Sequence, residues 1–158
     1  MRLDHFRDRL RAHGAKACHE HRVLRLWSTA QDQASGRRRP EDFLPASVRA
    51  LLPELMAAFD GLAQVRSEHP SDDGSARLLV ALADGLTVES VLLPRDGVCV
   101  STQVGCAVGC LFCMTGRDGL VRQVGSAEIV AQVVLARRRR PVRKVVFMGM
   151  GEPAHNLD

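Results

Sequence analysis

The feature that most constrains this chain is a group of three cysteines. Cys106, Cys110 and Cys113 lie within eight residues, with the spacing C-x3-C-x2-C. Cysteines this close together cannot form a disulfide framework that joins distant parts of a fold. The first residues alternate charged and apolar side chains and lack the apolar run of a signal peptide, so we expect a cytoplasmic protein. Clustered thiols in that compartment predict a metal or redox site.

Two kinds of metal site fit this spacing. Iron–sulfur clusters are held by cysteine thiolates, usually four of them. Three cysteines around a four-iron cluster would leave one iron open to a small molecule, as catalytic metals keep an open position. The alternative is a structural zinc site in which Cys99 or His155 is the fourth ligand. Zinc sites usually pair cysteines as two C-x2-C units, and this chain lacks that pairing. We therefore expect an iron–sulfur cluster and keep zinc as the alternative.

Composition narrows the class of protein. The chain has 158 residues, of which 46% are hydrophobic and 25% charged, which is enough apolar material for a core. No apolar stretch approaches the ~20 residues of a membrane-spanning helix, so we expect no membrane contact. The net charge of +4 arises in residues 97–158, and six basic side chains lie between positions 137 and 144. This basic run is compatible with an RNA partner, and equally with a solvated helix end.

The chain divides into three predicted parts. Residues 1–66 have apolar side chains at helical spacing and predict a helical accessory domain, in which Pro53 indicates two short helices or one kinked helix. Residues 67–75 read as a polar linker. Residues 76–82 and 86–93 flank Asp84-Gly85 and predict a β-hairpin, so that linker and hairpin occupy residues 67–96.

Residues 97–158 predict a strand, a loop, a helix and a second strand. The strands are expected at residues 98–101 and 145–148, with the cysteines in the loop after the first strand. Ser126 is the predicted N-cap of the helix between them. Such a β-α-β unit implies a parallel pair of strands with the helix on one face, and hence an α/β fold.

The spacing C-x3-C-x2-C is also typical of the radical S-adenosylmethionine (SAM) superfamily, in which three cysteines hold a [4Fe-4S] cluster and SAM chelates the fourth iron. Phe112 occupies the place of the aromatic residue that commonly precedes the third cysteine. Further segments resemble the radical SAM rRNA adenine methyltransferases, and these are residues 98–106 (VCVSTQVGC), 115–116 (TG), 125–133 (GSAEIVAQV) and 146–153 (VFMGMGEP). Those enzymes methylate carbon 2 of an adenine in 23S rRNA, and some also modify tRNA.

This resemblance implies a set of ligands. Cys106, Cys110 and Cys113 would hold the cluster. Phe112 and the segment with Gly151 and Glu152 would contact SAM, and the Glu152 carboxylate would accept hydrogen bonds from the SAM amino group. For Glu152 the alternative is an ordinary loop carboxylate.

The resemblance also implies two catalytic residues. Glu89, in Val88-Glu89-Ser90-Val91, matches a glutamate assigned as a proton acceptor. Cys99 lies seven residues before Cys106 and matches a cysteine that forms a transient disulfide. The alternatives are an exposed strand charge for Glu89 and a small core side chain for Cys99. Cys18 matches no position with a role.

For the fold, the resemblance implies an α+β N-terminal domain followed by the first two β/α units of an incomplete (β/α)6 barrel. A β/α unit needs about 30 residues, so residues 97–158 provide two of them. We accordingly expect an N-terminal fragment that is inactive alone, with unpaired sheet edges that favour self-association. The expected partners are RNA and an electron donor for the cluster. The alternatives are an adenine C-8 methyltransferase and a non-catalytic iron–sulfur or zinc RNA-binding module.

Overall fold

Four helices build the N-terminal layer. The computed structural model describes residues 1–35 and 37–157. The helices are α1 (Leu3–Ala12), α2 (Ala17–Ser28), α3 (Pro40–Phe43) and α4 (Ala46–Asp60). Their apolar faces meet at stacked rings, because the centroids of Trp27 and Phe59 lie 4.0 Å apart and that of Phe6 lies 4.6 Å from Phe59. The helical layer therefore has an aromatic core of its own.

Helix α4 settles the alternative at Pro53. It is one helix of 15 residues that contains Pro53, and not two short helices. Its buried side chains recur on one face, and they are Val48, Leu51, Leu52, Leu55 and Phe59. Burial of this face outweighs the local cost of the proline.

The described residues form seven strands, and five of these make up the main sheet. The strands are β1 (Ala63–Pro70), β2 (Ala76–Leu82), β3 (Thr87–Leu93), β4 (Gly97–Cys99), β5 (Gln103–Gly105), β6 (Leu120–Gln123) and β7 (Lys144–Val146). The order in the main sheet is β1-β2-β3-β4-β7, in which only β4 and β7 are parallel. Helix α5 (Ser126–Arg137) connects that parallel pair, and β5 pairs with β6 in a separate hairpin. The predicted β-α-β unit, the β2–β3 hairpin and the α/β class are confirmed, although β4 and β7 each end two residues before the predicted ends at residues 101 and 148.

The predicted linker at residues 67–75 is partly wrong. Strand β1 extends to Pro70, which is opposite Ala76 of β2, so only residues 71–75 lie between these strands. Most of β1 is exposed on one or both faces, and its polar side chains hid the strand in the sequence. Strand β3, in the predicted hairpin part, pairs with β4 in the predicted core. The division of the chain at residues 66 and 96 stays a prediction.

The two faces of the sheet differ. Val88, Ser90 and Leu92 of β3 are buried on the face that α5 covers, where the Ser90 hydroxyl donates to Gln132 of α5. The opposite face carries half-buried side chains such as Glu89 and Val91. This second face, which we call the open face, is less covered along β3 than the first. Within the described residues, no helix combines the length and apolarity needed to cross a membrane.

Helix α5 begins one residue earlier than predicted. Gly125, and not Ser126, is the N-cap, because Ser126 is already the first helical residue. The Ser126 hydroxyl accepts the Leu3 amide at 3.0 Å. Glu128 in the first turn is buried, which by itself would raise the pKa of its carboxyl. Hydrogen bonds from Arg122, the N-terminal ammonium and the Gly125 amide outweigh burial and lower that pKa. The buried carboxylate thus joins β6 to the start of α5.

Candidate metal and cofactor site

The three clustered cysteines lie in the loop between β5 and β6, at residues 106–119, which we call the cysteine loop. Its ends are closed by the hydrogen bond from the Cys106 amide to the Gly119 carbonyl, at 3.0 Å. Gly105 has φ +74°, and a Cβ there would overlap the Gly119 carbonyl oxygen. Only glycine allows this closure, so Gly105 makes possible a narrow loop that presents the cysteines together.

The thiols of this loop are accessible. Cys106 is half-buried, whereas Cys110 and Cys113 are exposed, and the Cys113 amide donates to the Cys110 carbonyl at 3.0 Å. The Thr115 hydroxyl lowers the pKa of the Cys113 thiol, helped by the amides of Thr115 and Gly116. These donors favour the thiolate, which is the form of cysteine that binds a metal.

The positions of the His, Cys, Asp and Glu side chains show which metal sites fit. Among residues 1–35 and 37–157, no three or more His, Cys, Asp or Glu side chains are placed to hold a metal ion. A preformed single-ion zinc site is therefore absent from the described part. The donor chemistry fits an iron–sulfur cluster, because three thiols share one accessible loop and one of them is biased towards thiolate. A four-iron cluster is larger than one ion and holds its thiolates farther apart. The assignment of all three cysteines as cluster ligands stays a prediction.

The second part of the site follows β7. Residues 149–152, which we call the GMGE segment, lie beside residues 100–103, which follow β4. The Gly149 amide donates to the Val100 carbonyl at 3.2 Å, and the Met150 carbonyl accepts the Thr102 and Gln103 amides at 2.8 and 3.1 Å. Ligands of α/β sheets bind beyond the carboxyl ends of parallel strands. The GMGE segment follows the carboxyl end of β7, and the cysteine loop follows β5, which comes after β4 along the chain.

Gly151 and Glu152 are held closely. Gly151 has φ +99°, and a Cβ there would lie 2.5 Å from the Gln103 Cβ, so a larger residue does not fit. The Glu152 amide donates to Gln103 Oε1 at 2.9 Å. Carboxylate oxygen Oε1 of Glu152 accepts the Ala154 amide at 3.0 Å. Over the described ranges, the other oxygen has no hydrogen-bond partner and can accept from a ligand.

Glu89 and Cys99 lie on the same face of the sheet. Val91 of β3 is opposite Cys99 of β4, and Glu89 is two residues from Val91, so all three side chains share the open face. Glu89 forms a 3.0 Å ion pair with Arg77, and its amide donates to the Met150 sulfur at 3.3 Å. The structure therefore places Glu89 beside the GMGE segment. Its role as a proton acceptor stays a prediction.

Cys99 is a buried thiol, with 7% of its surface exposed. Burial raises the pKa of this thiol, against a smaller effect of the Met148 amide, which lowers it. The thiol is thus kept protonated in the resting protein. This state suits both a core side chain and a cysteine that reacts only when the site rearranges, so its predicted disulfide stays a prediction.

Exposed apolar side chains gather around the site. Phe112 is 92% exposed, and its predicted contact with SAM stays a prediction. Nearly all the large exposed apolar side chains of the described residues lie in two segments, 108–121 and 147–157. The first segment has Val108, Leu111, Phe112, Met114, Leu120 and Val121, and the second has Phe147, Met148 and Leu157. Such a concentration of apolar surface marks a binding surface.

A buried polar network was missed by the sequence reasoning. Gln132 of α5 is fully buried, and its Oε1 accepts the Ser90 hydroxyl and the Ser101 amide, both at 2.9 Å, while its Nε2 donates to the Ser101 carbonyl at 3.0 Å. The Ser101 hydroxyl donates to the Glu89 carbonyl and accepts the Met150 amide at 2.8 Å. A glutamine among the apolar residues of α5 was the available signal.

The basic run at the end of α5 is engaged within the chain. Arg138 pairs with Asp60 at 2.6 Å and Arg139 pairs with Glu68 at 3.1 Å. The flanking arginines donate to carbonyl oxygens, which are Ser28 for Arg137 and Gly74 and Leu93 for Arg140. These contacts give the run a structural role, and its contact with RNA stays a prediction.

Comparison with known proteins extends these observations. No protein-family model matches the chain. All 158 residues align with probable RNA methyltransferases, at 73% identity for Leptothrix cholodnii, 75% for Aromatoleum aromaticum and 64% for Pseudomonas aeruginosa. The chain is similar to RNA methyltransferases over its entire length. It spans less than half of these curated relatives, namely 46%, 44% and 46%.

A solved structure agrees with this similarity. The crystal structure of a radical SAM methyltransferase from Sphaerobacter thermophilus matches with a TM-score of 0.69 and 36% sequence identity. The match covers 99% of this chain and 47% of that protein. These names specify RNA methylation for the sequence relatives and radical SAM chemistry for the structural one. They do not specify which base or which atom is methylated.

Proposed function

We propose that this chain is part of a radical SAM RNA methyltransferase that holds a [4Fe-4S] cluster on Cys106, Cys110 and Cys113. In this proposal SAM binds at the open iron and at the GMGE segment. The observation that carries it is the placement of an accessible three-cysteine loop after β5 and of the GMGE segment after β7, with Gln103 at the base of the loop hydrogen-bonded to the Glu152 amide. The similarity to a radical SAM methyltransferase and to probable RNA methyltransferases supports the same function.

The cluster and SAM supply the radical chemistry when they are bound. The residues of this chain bind and orient them. The Thr115 hydroxyl lowers the pKa of the Cys113 thiol and so favours the thiolate that binds a metal. The Glu152 oxygen that has no hydrogen-bond partner among the described residues would accept hydrogen bonds from the SAM amino group. Phe112, whose ring is exposed and free of packing within the loop, would contact SAM when it is bound.

The open face of the sheet supplies two further groups. The ion pair of Glu89 with Arg77 is partly exposed and can open. The freed Glu89 carboxylate would then accept a proton from the adenine ring of the substrate. The Cys99 thiol lies on the same face, and its burial, which raises its pKa, limits its reaction with solvent oxidants before turnover. Proton acceptance and transient disulfide formation are the roles that we propose for Glu89 and Cys99.

The substrate that we propose is carbon 2 of an adenine in 23S rRNA, with tRNA as a second substrate and a cytoplasmic electron donor for the cluster. The supporting segments are residues 98–106, 125–133 and 146–153, together with Glu89 in its strand. Binding of protein-free 23S rRNA should weaken as salt concentration rises, because phosphate contacts release counterions. Absence of binding at low salt would contradict the RNA assignment.

Anaerobic reconstitution with iron and sulfide tests the cluster. The unmodified chain should become brown and hold about four iron atoms, as a [4Fe-4S] cluster requires. Cys106→Ala, Cys110→Ala and Cys113→Ala should each lose the cluster, because each removes one of three protein ligands. Cys18→Ala is the matched control, since Cys18 is an exposed thiol outside the loop, and it should keep its iron. A colourless protein with tightly bound zinc would refute the proposal.

A further inference from the structure

Two glutamines join the strands that carry the cysteine loop. Gln103 of β5 is directly opposite Gln123 of β6, and Gln103 Nε2 donates to Gln123 Oε1 at 3.0 Å. Gln103 is fully buried, whereas Gln123 lies at the exposed edge of the pair. The pair therefore stands at the base of the hairpin, three residues before Cys106.

Both side chains continue to the segment after β7. Gln103 Oε1 accepts the Glu152 amide at 2.9 Å, and Gln123 Nε2 donates to the His155 carbonyl at 2.7 Å. These two contacts flank the 3-10 turn Pro153–His155. The backbone of Gln103 adds a third contact through its amide, which donates to the Met150 carbonyl. The glutamine pair thus connects the cysteine loop to both ends of residues 152–155, which we call the Glu152 turn.

The order of donors and acceptors fixes the orientation of both amides. The Glu152 amide requires an acceptor, so Gln103 must present its oxygen there and its nitrogen to Gln123. The His155 carbonyl requires a donor, so Gln123 must present its nitrogen there and its oxygen to Gln103. Rotating either amide by half a turn would set like groups against each other. This chain of hydrogen bonds therefore has a single arrangement, which suits a positioning role.

We propose that Gln103 and Gln123 are positioning residues that hold Glu152 at a fixed place relative to the cysteine loop. The consequence for SAM rests on the proposed function. Because neither glutamine is expected to touch SAM, the pair acts through the Glu152 backbone. Loss of the pair should loosen the Glu152 turn and weaken SAM binding, while the three cysteines still bind iron.

Hydrogen exchange tests the positioning without any cofactor. In Gln103→Met, the Glu152 amide should exchange about tenfold faster, since its acceptor is lost and it exchanges by local opening. Gln123→Met should show a smaller effect because its contacts are more exposed. Gln103→Glu keeps an acceptor for the Glu152 amide and should preserve most of its protection. Gln64→Met is the control, because Gln64 is an exposed glutamine of β1.

SAM affinity of the anaerobically reconstituted chain tests the consequence. Gln103→Met should bind SAM about tenfold more weakly at unchanged iron content, as outer residues around metal sites typically contribute 10–100-fold. Glu152 exchange and SAM affinity that match Gln64→Met would overturn the proposal. Faster exchange spread evenly over all strands would also overturn it, because that pattern indicates global destabilisation. An unmodified chain that binds no SAM would refute the proposed function, and exchange at Glu152 would still decide the positioning role.

Discussion

Replacing Gln132 with leucine removes the centre of the buried polar network. The substitution keeps side-chain volume and helix propensity close to those of glutamine. It leaves the Ser101 amide, the Ser101 carbonyl and the Ser90 hydroxyl without the partner that each has at 2.9–3.0 Å. All three groups belong to residues that are at most 1% exposed, so water cannot readily replace glutamine.

The expected loss of stability follows from these three groups. A buried polar group left unsatisfied costs about 1–3 kcal/mol. The Ser90 hydroxyl can rotate towards another acceptor, which leaves the two backbone groups of Ser101 and a total of about 2–6 kcal/mol. The leucine side chain offsets about 1 kcal/mol by apolar burial. We expect a loss of about 3 kcal/mol, which lowers the melting temperature by roughly 10 °C in a domain of this size.

Urea unfolding followed by circular dichroism measures this loss. Ser90→Ala is the matched control, because it removes one hydrogen bond and leaves Gln132 bound to Ser101, so it should cost only about 1 kcal/mol. A loss below about 1 kcal/mol for Gln132→Leu, which is the typical worth of one ordinary hydrogen bond, would refute the reasoning. It would show that the network is not sealed from water.

Three further predictions concern single positions. Gly151→Ala should cost about 1–3 kcal/mol more than Gly74→Ala in unfolding experiments, because both positions have positive φ but only Gly151 has a neighbour that a Cβ would strike. The lowered pKa of Glu128 stabilises the fold at pH values above the ordinary carboxyl pKa of about 4.3, and this stabilisation should disappear as pH falls through the folded pKa. Glu128→Gln should therefore flatten the acid side of a curve of unfolding free energy against pH. An unchanged acid side would contradict the ion-pair account. Thr115→Val should raise the pKa of the Cys113 thiol and slow its alkylation at neutral pH, measured by peptide mass spectrometry, whereas an equal rate would exclude the Thr115 hydrogen bond.

The β-α-β unit was predictable because its signals are local. The apolar run at residues 145–148, which predicted the strand observed at Lys144–Val146, is a short stretch of sequence. The helix start near Ser126 and the glycine-rich segment after the strand are equally short. The cysteine loop was predictable for the same reason, since its three thiols are close neighbours along the chain. The observed helix and parallel strand pair agree with these patterns.

The remaining features depend on partners far away in the chain. Residues 67–70 of strand β1 were predicted as linker and residues 63–66 as part of the helical domain, because β2 satisfies the backbone of β1 while most of its side chains are exposed. Gln103 acquires a role only when Glu152, 49 positions later, donates to it. The ion pairs of the arginines at the end of α5 were not predictable because their carboxylates, on α4 and β1, are distant in sequence. Periodicity and spacing do not contain such pairings.

Electron paramagnetic resonance of the reconstituted and reduced chain, with and without SAM, tests the central claim most directly. The account predicts the signal of a reduced [4Fe-4S] cluster that changes when SAM is added, because SAM reaches the iron that the three cysteines leave open. Glu152→Gln should keep the signal and require a higher SAM concentration for the change. A cluster signal that SAM leaves unaltered, or a chain that assembles no cluster, would contradict the account.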